Sequence, residues 1–233
     1  MDIDTEKNDS MIEQLEKYNL KYTRVPAVIG KNVVQDKVDV VDGIKYILSK
    51  KMINKAKGCL ISHFKCYNMI YNDMIKSNYR NAIIFEDDIS FELINLWKGV
   101  TNMGKVIKKA PKDWEIIKLN SSNNKVTKTA FVNRITHYTD NEFLNQYVFK
   151  DCNSSTLAYI INKKGIEKIL KKFYKDGVLH VDNVIDTLVW RACKTYHYKY
   201  PLFISLEKFE KNKAGVKSNK YIKTHIYKMS INP

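Results

Sequence analysis

Apolar residues recur at steps of three and four in four parts of the chain. In residues 51–76 this spacing aligns Cys59, His63, Cys66 and Ile70, which places them on one face of a helix. The other segments with helical spacing are residues 9–19 (DSMIEQLEKYN), 163–174 (KKGIEKILKKFY) and 182–194 (DNVIDTLVWRACK). The pattern therefore predicts four helices, the first of them opened by an Asp/Ser cap.

Short apolar runs, rich in β-branched and aromatic residues, alternate with these helices. They are residues 23–30 (TRVPAVIG), 79–87 (YRNAIIFED), 114–120 (WEIIKLN), 154–162 (SSTLAYIIN) and 199–206 (KYPLFISL). Runs of this length predict buried strands. Alternation of helices and strands indicates an α/β fold with a mainly parallel sheet, in which ligands gather at the carboxyl ends of the strands.

No Pro/Gly/Ser-rich linker divides the 233 residues, so we expect residues 1–233 to form a single domain. With 44% hydrophobic and 12% aromatic residues, the composition predicts a packed core. Residues 208–233 are lysine-rich and show little periodicity. They are expected to form a basic tail that lies on the surface and is partly mobile.

The apolar runs are far shorter than the roughly 20 residues that cross a bilayer, and the start, MDIDTEKNDS, is acidic and polar. These features predict a cytoplasmic protein without a membrane span or signal peptide. The cysteines form no CxxC pair, so we expect reduced thiols in the core.

The formal net charge of +15 invites a nucleic-acid interpretation, since clustered basic residues neutralise phosphates. However, lysine is spread along the whole chain, and arginine occurs only at Arg24, Arg80, Arg134 and Arg191. The abundance of Lys, Asn, Ile and Tyr is typical of AT-rich genomes, such as those of low-GC bacteria and giant viruses. Most lysines are therefore interpreted as solvated surface, and nucleic acid is not an expected partner.

Three consecutive carboxylates, Glu86, Asp87 and Asp88, follow the most strand-like segment of this basic chain. Adjacent carboxylates repel one another unless a cation or hydrogen-bond donors neutralise them. Residues two apart on a strand point the same way, so Glu86 and Asp88 are predicted to bind Mg²⁺ or Mn²⁺ together. The alternative is a solvated turn in which Asp87 or Asp88 caps a following helix.

Several segments resemble glycosyltransferase family 25, which includes the lipopolysaccharide and collagen galactosyltransferase-like enzymes. The core of the resemblance is a Gly-Cys, then Ser-His, then a strand ending in Glu-Asp-Asp. In this chain it reads KGCLISHFKCYNMI (57–70) and YRNAIIFEDDI (79–89). Further similar segments, in the same order, are residues 11–32, 155–170 and HVDNVI (180–185).

The resemblance implies a Rossmann-like GT-A fold, a nucleotide-diphosphate sugar donor such as a UDP-sugar, and inverting transfer of a hexose, galactose or glucose, to a hydroxyl acceptor. The acceptor would belong to a glycan, a lipid-linked saccharide or a protein side chain. Glu86, Asp87 and Asp88 would bind the donor through Mn²⁺ or Mg²⁺, with Ser62 and His63 as further donor-binding residues. The ion would neutralise the leaving diphosphate.

Inversion requires a base near the acceptor hydroxyl. Asp182 matches the late aspartate of the family and is the first candidate, with Asp186 the weaker one. An equally weighted alternative makes Asp182 the N-cap of the helix over 183–194. His63 has an alternative role as a core histidine. Zinc binding by Cys59, His63 and Cys66 is rejected, because three ligands from one helix lack a fourth.

Two other functions remain open at this stage. A catalytically degenerate GT-A domain that acts as a binding module would fit the N-terminal residues, which lack the family's INLdrr segment and its arginine. A basic, nuclease-like protein would also surround a carboxylate metal site with lysines. It is the less favoured alternative, because the sequence shows no second carboxylate set with clustered arginines.

Overall fold

This computed structural model describes residues 5–49, 51–91, 94, 102–120, 143–145, 155–200, 202–205 and 226–231. The helices of the described part are α1 (Thr5–Lys17), α2 (Asn54–Lys76), α3 (Met103–Lys109), α4 (Lys163–Phe173) and α5 (Ile185–Ala192), with a 3₁₀ turn at Gly30–Asn32. All four helices predicted from the sequence are present, but α1 begins at Thr5, so the Asp/Ser cap predicted for it is wrong and Asp9 and Ser10 lie inside the helix. The short helix α3 was not predicted; it begins where the Asn102 side chain accepts a hydrogen bond from the amide of Lys105.

A seven-stranded sheet forms the centre of the described fold. Its strands, in chain order, are β1 (Thr23–Val25), β4 (Asn81–Glu86), β6 (Ile116–Lys118), β7 (Phe143–Asn145), β8 (Ala158–Asn162), β11 (Thr195–Tyr198) and β13 (Ile226–Ile231). Their order across the sheet is β1-β13-β4-β8-β6-β11-β7. The single-domain α/β class is therefore confirmed, and the mixed sheet is consistent with a Rossmann-like glycosyltransferase fold.

The expectation of a mainly parallel sheet is wrong. Among neighbouring strands described in this sheet, only β6 and β11 are parallel, and the others are antiparallel. The physical reason is that β8 and β13 each enter between strands of the opposite direction. Apolar content fixes that a strand is buried, but it carries no information on the direction of the neighbours.

Two smaller sheets complete the strand set of the described residues. The first has the order β2-β3-β10-β9 and contains β2 (Asp39–Val41), β3 (Ile44–Leu48), β9 (Tyr174–Lys175) and β10 (Val178–Val181). The second pairs β5 (Ile89–Ser90) with β12 (Ile204–Ser205). The strand predicted over 199–206 is thus reduced to β12, and the longer neighbouring strand is β11.

The expectation of a surface tail is wrong for residues 226–231. They form β13, which pairs along the whole of β4 with Ile226 opposite Glu86. A lysine interrupts the apolar residues of this strand, so the segment lacked a clear strand pattern. The remainder of the predicted tail, 208–225 and 232–233, lies outside the described residues.

The side chains of β4 alternate between the two faces of the sheet. Ala82 and Ile84 pack in a layer with α2, α4 and α5, whereas Ile83 and Phe85 pack in the opposite layer with α1 and α3. Glu86 follows the same alternation and lies on the same face as Ala82 and Ile84. Its carboxylate therefore lies on the α2 side, at the carboxyl end of β4.

Candidate active site

Glu86 is held on the α2 side by two side chains from different elements. His63, on α2, places Nε2 3.2 Å from Glu86 Oε1, and the Thr156 hydroxyl donates to the same oxygen. His63 is fully buried, whereas 14% of the Glu86 side chain is exposed. Burial alone would raise the pKa of Glu86, but the hydrogen bonds and charge of His63, together with Thr156, lower it below its usual value. Glu86 is therefore an ionised, oriented carboxylate.

The hydrogen-bond network continues from His63 into the core. His63 Nδ1 lies 2.9 Å from the hydroxyl of Tyr159 on β8, and that hydroxyl lies 2.6 Å from the hydroxyl of Tyr67 on α2. Both tyrosines are fully buried. Burial is the largest cause that raises the pKa of each well above its usual value, so both remain protonated.

Asp87 and Asp88 form the turn between β4 and β5. Burial, followed by the charges of Glu86 and Asp87, raises the pKa of Asp88 to about 7, while Lys7 and Lys55 oppose the shift. The Oδ1 atom of Asp88 is buried and has no hydrogen-bond partner among the described residues. Glu86 is thus among the charges that act on Asp88, and strand β5 follows the turn directly, so neither Asp87 nor Asp88 caps a helix there.

This donor set fits a divalent cation. Carboxylate oxygens are the ligands that Mg²⁺ and Mn²⁺ prefer, and Asp88 Oδ1 lacks the partner that a buried oxygen needs. Among the described residues, the grouping whose ligand atoms all lie within 4.8 Å of one another is Cys59, His63 and Glu86, and it includes neither Asp87 nor Asp88. Burial, and then Glu86 and Asp88, raise the pKa of the Cys59 thiol well above its usual value. A protonated thiol is a poor ligand, so the carboxylates suit the cation better.

Ser62 has a contact different from the predicted one. It is fully buried, accepts a hydrogen bond from the Val28 amide at 2.9 Å and donates to the Gly58 carbonyl at 2.7 Å. A Cβ on Gly58 would lie 2.6 Å from the Val28 carbonyl oxygen, so α2 approaches this segment at the distance that only glycine allows. We therefore assign Gly58 and Ser62 to the docking of α2, which in turn places His63.

Asp182 and Asp186 lie on either side of the start of α5. Asp182 is exposed and follows β10 directly. It is not the N-cap, because α5 begins at Ile185 with Val184 in the cap position and no side-chain cap. Asp186 is half-buried, and its Oδ2 accepts a hydrogen bond from the amide of Ser155 at 3.4 Å. The structure thus ties Asp186 to the residue before Thr156, whereas Asp182 remains free to meet a ligand from solvent.

Ser155 has a strained backbone at this edge. Its φ is +78°, and the other described non-glycine residues with positive φ are all Asn or Asp, which tolerate this conformation better. The Asn120 side chain donates to the Ser155 hydroxyl at 3.3 Å. Strain of this kind is concentrated at ligand-binding segments, which supports a functional role for the turn that carries Thr156.

Sequence reasoning missed Thr156, the two tyrosines and Lys118. Lys118 is 1% exposed on β6, with its ammonium 4.7 Å from the centre of the Trp190 ring, and Trp190 packs edge-to-face on Tyr159. A lysine inside the buried run WEIIKLN was the available signal for this residue. The contacts of Thr156 and Tyr159 had no sequence signal, because both residues are remote in sequence from Glu86.

Comparison with known proteins decides the family. Residues 1–185 match glycosyltransferase family 25, described as LPS biosynthesis protein. This chain belongs to glycosyltransferase family 25. The family resemblance expected from the Gly-Cys, Ser-His and Glu-Asp-Asp segments is thereby confirmed.

Two vertebrate proteins are similar to this family 25 chain at low identity. Procollagen galactosyltransferase 1 of Danio rerio is 21% identical over 192 residues, which cover 79% of this chain. Procollagen galactosyltransferase 1-A of Xenopus laevis is 24% identical over 190 residues, which cover 78%. The matched regions span 29% of the length of each relative. The family and the names of these relatives support a glycosyltransferase.

Two further observations bear on the sequence predictions. Cys59, Cys66 and Cys193 are free thiols; Cys66 and Cys193 are buried as predicted, whereas Cys59 is half-buried. Within the same part of the chain, no helix combines the length and apolar character needed to cross a membrane.

Proposed function

We propose that this family 25 protein transfers a hexose from a nucleotide-diphosphate sugar to a hydroxyl acceptor, with inversion and with the help of a divalent cation. The observation that carries the proposal is the pair of carboxylates Glu86 and Asp88. Glu86 ends β4 and Asp88 lies in the turn after it; burial, and then the charges of Glu86 and Asp87, raise the pKa of Asp88 to about 7, and Asp88 Oδ1 has no hydrogen bond among the described residues. A cation held by these carboxylates would favour their ionised form and give Oδ1 a partner.

In this mechanism, Glu86 and Asp88 would hold Mn²⁺ or Mg²⁺, and Asp87 would add negative charge beside them. The bound cation would neutralise the charge that develops on the departing nucleoside diphosphate. His63 and Thr156 keep Glu86 in place through Oε1. Lys7 and Lys55 lie close enough to lower the pKa of Asp88, so they also offset the negative charge of a phosphate that approaches this edge.

Asp182 remains the proposed base. It is exposed directly after β10 and is not used as a helix cap, so its carboxylate is available to take the proton of an acceptor hydroxyl. Asp186 is the second candidate, but it already accepts hydrogen bonds from the amides of Ser155 and Thr187. Those contacts suit a residue that orders the turn next to Thr156.

The donor is proposed to be a UDP-sugar carrying galactose or glucose. The galactosyltransferase names of the relatives favour galactose, and the family description favours an acceptor in lipopolysaccharide or another glycan. A hydroxylated protein side chain is the alternative acceptor. The cytoplasmic location expected from the sequence stays a prediction.

The test measures hydrolysis of a panel of nucleotide sugars, with and without Mn²⁺, by the wild-type protein and by the Glu86→Ala/Asp88→Ala variant. We expect Mn²⁺-dependent release of UDP from one of the sugars by the wild type alone. UDP binding without turnover of any sugar would instead indicate a degenerate binding module. Cleavage of a nucleic acid at the same carboxylates would indicate the nuclease-like function.

A further inference from the structure

We propose that His63 is a positioning residue, which holds Glu86 by its Oε1 atom so that Oε2 faces the ligand. The inference deepens the proposed function, and it rests on that function only for the nature of the ligand. It concerns a residue that the sequence placed either in direct contact with the donor or in the core. The structure supports a third role, in which His63 orients a residue that contacts the ligand.

Both side-chain hydrogen bonds of Glu86 with described residues end on one oxygen. His63 Nε2 and the Thr156 hydroxyl each contact Oε1, and Oε2 contacts no donor among the described residues. Because 14% of the side chain is exposed while His63 is fully buried, the carboxylate is anchored on its inner oxygen. Its other oxygen is left for a ligand or cation at the edge of the sheet.

The direction of the hydrogen bonds follows from the carboxylate. An ionised Glu86 only accepts, so His63 must donate through Nε2. When the ring is uncharged, Nδ1 accepts from the Tyr159 hydroxyl, and the Tyr159 oxygen accepts from the Tyr67 hydroxyl. In that state every donor points toward Glu86, and each bond polarises the next one.

A histidine that merely fills space in the core would not need a chain of hydrogen bonds that runs toward Glu86. Tyr67 and Tyr159 come from α2 and β8, and they fix the ring of His63 from the side opposite Glu86. The docking of α2 through Gly58 and Ser62 fixes how deeply the ring of His63 is buried. The ring thus has one orientation, which transfers the rigidity of the core to the carboxylate.

The first measurement reads the protonation of the ring directly. Long-range ¹H–¹⁵N spectra at pH 8 should show a proton on His63 Nε2, with the resonance assigned through its loss in His63→Gln. Tyr159→Phe should shift the Nδ1 resonance. Tyr46→Phe is the matched control, since the buried Tyr46 hydroxyl contacts the Val34 amide in another part of the protein. An Nε2 without a proton, or equal effects of the two Phe variants, would overturn the proposal.

The second measurement titrates the full chain with Mn²⁺ alone and counts free Mn²⁺ by electron paramagnetic resonance. His63→Ala should weaken Mn²⁺ binding about tenfold or more, as expected when a supporting residue of a ligand is lost. His63→Gln keeps an N–H donor and should recover part of the affinity. Tyr159→Phe should weaken binding less than His63→Ala, and Tyr46→Phe should leave it unchanged.

The outcomes separate this inference from the proposed function. Wild-type affinity in both Tyr159→Phe and His63→Gln, or no gain of His63→Gln over His63→Ala, would overturn the positioning role. If the wild type binds no Mn²⁺ but the spectra show the expected proton on Nε2, the metal assignment is wrong. The contact of His63 with Glu86 Oε1 is then still supported. If His63→Ala does not fold, the ring spectra and Tyr159→Phe still decide.

Discussion

Glu86, half-buried, and Glu115, buried, lie at opposite strand ends of the seven-stranded sheet, called here the Glu86 edge and the Glu115 edge. Strands β4 and β6 both run antiparallel to β8, and Glu86 ends β4 whereas Glu115 precedes β6. Glu115 is neutralised by the protein itself. Its side chain is 2% exposed, and its oxygens accept from Lys168 Nζ at 2.9 and 3.2 Å and from the Lys194 amide at 2.7 Å.

At the Glu86 edge, the balance of charge is the opposite. The two contacts of Glu86 come from His63 and Thr156, and its neighbours in sequence are two further carboxylates. Burial, and then the charges of Glu86 and Asp87, raise the pKa of Asp88 to about 7. A carboxylate that serves the fold thus has its cation built in, whereas the carboxylates of the candidate site carry excess negative charge that a bound cation would neutralise.

The largest expected effect comes from removing the charge at the Glu86 edge. In Glu86→Ala/Asp88→Ala, Mn²⁺-dependent transfer should fall about a hundredfold or more, since a metal contributes several kcal/mol to the transition state. Calorimetry with Mn²⁺ and UDP measures the loss of binding. Melting measurements serve as the control, and unchanged Mn²⁺-dependent UDP binding by the folded variant would contradict the assignment.

The next effect extends the comparison to the acceptor side. Asp182→Asn should lower single-turnover transfer by about a hundredfold, because asparagine cannot take the acceptor proton. Its melting temperature should not change, since Asp182 is exposed and caps no helix. Donor binding is measured separately. Near-normal transfer would eliminate Asp182 and direct attention to Asp186, for which Asp186→Asn is the matched variant.

At the Glu115 edge, the effect should appear in stability. Glu115→Ala leaves the Lys194 amide and Lys168 without their acceptor, so the free energy of unfolding should fall by about 2 kcal/mol. Partial exposure of Lys168, 46% at its side chain, keeps the loss below that of a fully buried pair. Glu167→Ala is the control, since within the described part of the chain Glu167 pairs only with Lys163, at the surface.

Chemical denaturation of both variants checks this contrast, with transfer activity measured on the folded fraction. Glu167→Ala should change the unfolding free energy by less than about 0.5 kcal/mol. Equal stability losses in the two variants would show that Glu115 is no more important than a surface carboxylate. A specific loss of turnover in folded Glu115→Ala would remove the distinction between the two edges.

The smallest effect concerns pH. The folded pKa of Asp88 is raised to about 7 from an unfolded value near 3.8, so folding favours its protonated form. The metal-free protein should therefore lose stability as the pH rises from about 4 to 7, by about 1 kcal/mol once the charge is shared with Glu86 and Asp87.

Asp88→Asn should remove this dependence, because asparagine does not titrate. Denaturation at pH 4 and pH 8, in the presence of a chelator, compares the two proteins. The variant should equal the wild type at low pH and exceed it at high pH. A wild type that gains stability relative to Asp88→Asn between these pH values would show that Asp88 is already neutralised within the protein.

Sequence patterns predicted the elements that depend on local periodicity. The helix that carries His63, the strand that ends at Glu86 and the amphipathic helix α4 were all predicted, because burial repeats every 3.6 or 2 residues. The direction and neighbours of the strands were not. Strand β13 enters beside β4 from the far end of the chain, and no local pattern reports a pairing of that sequence separation.

By itself, the sequence determined the family, the α/β class and the position of three adjacent carboxylates, since each is written in consecutive residues. Only the tertiary structure decided which donors those carboxylates meet. Thr156 reaches Glu86 across 70 residues, and Tyr159 reaches His63 across 96. Such contacts arise when strand pairing and the close docking of α2 bring distant side chains together. Neither produces a periodic pattern of residues in the sequence.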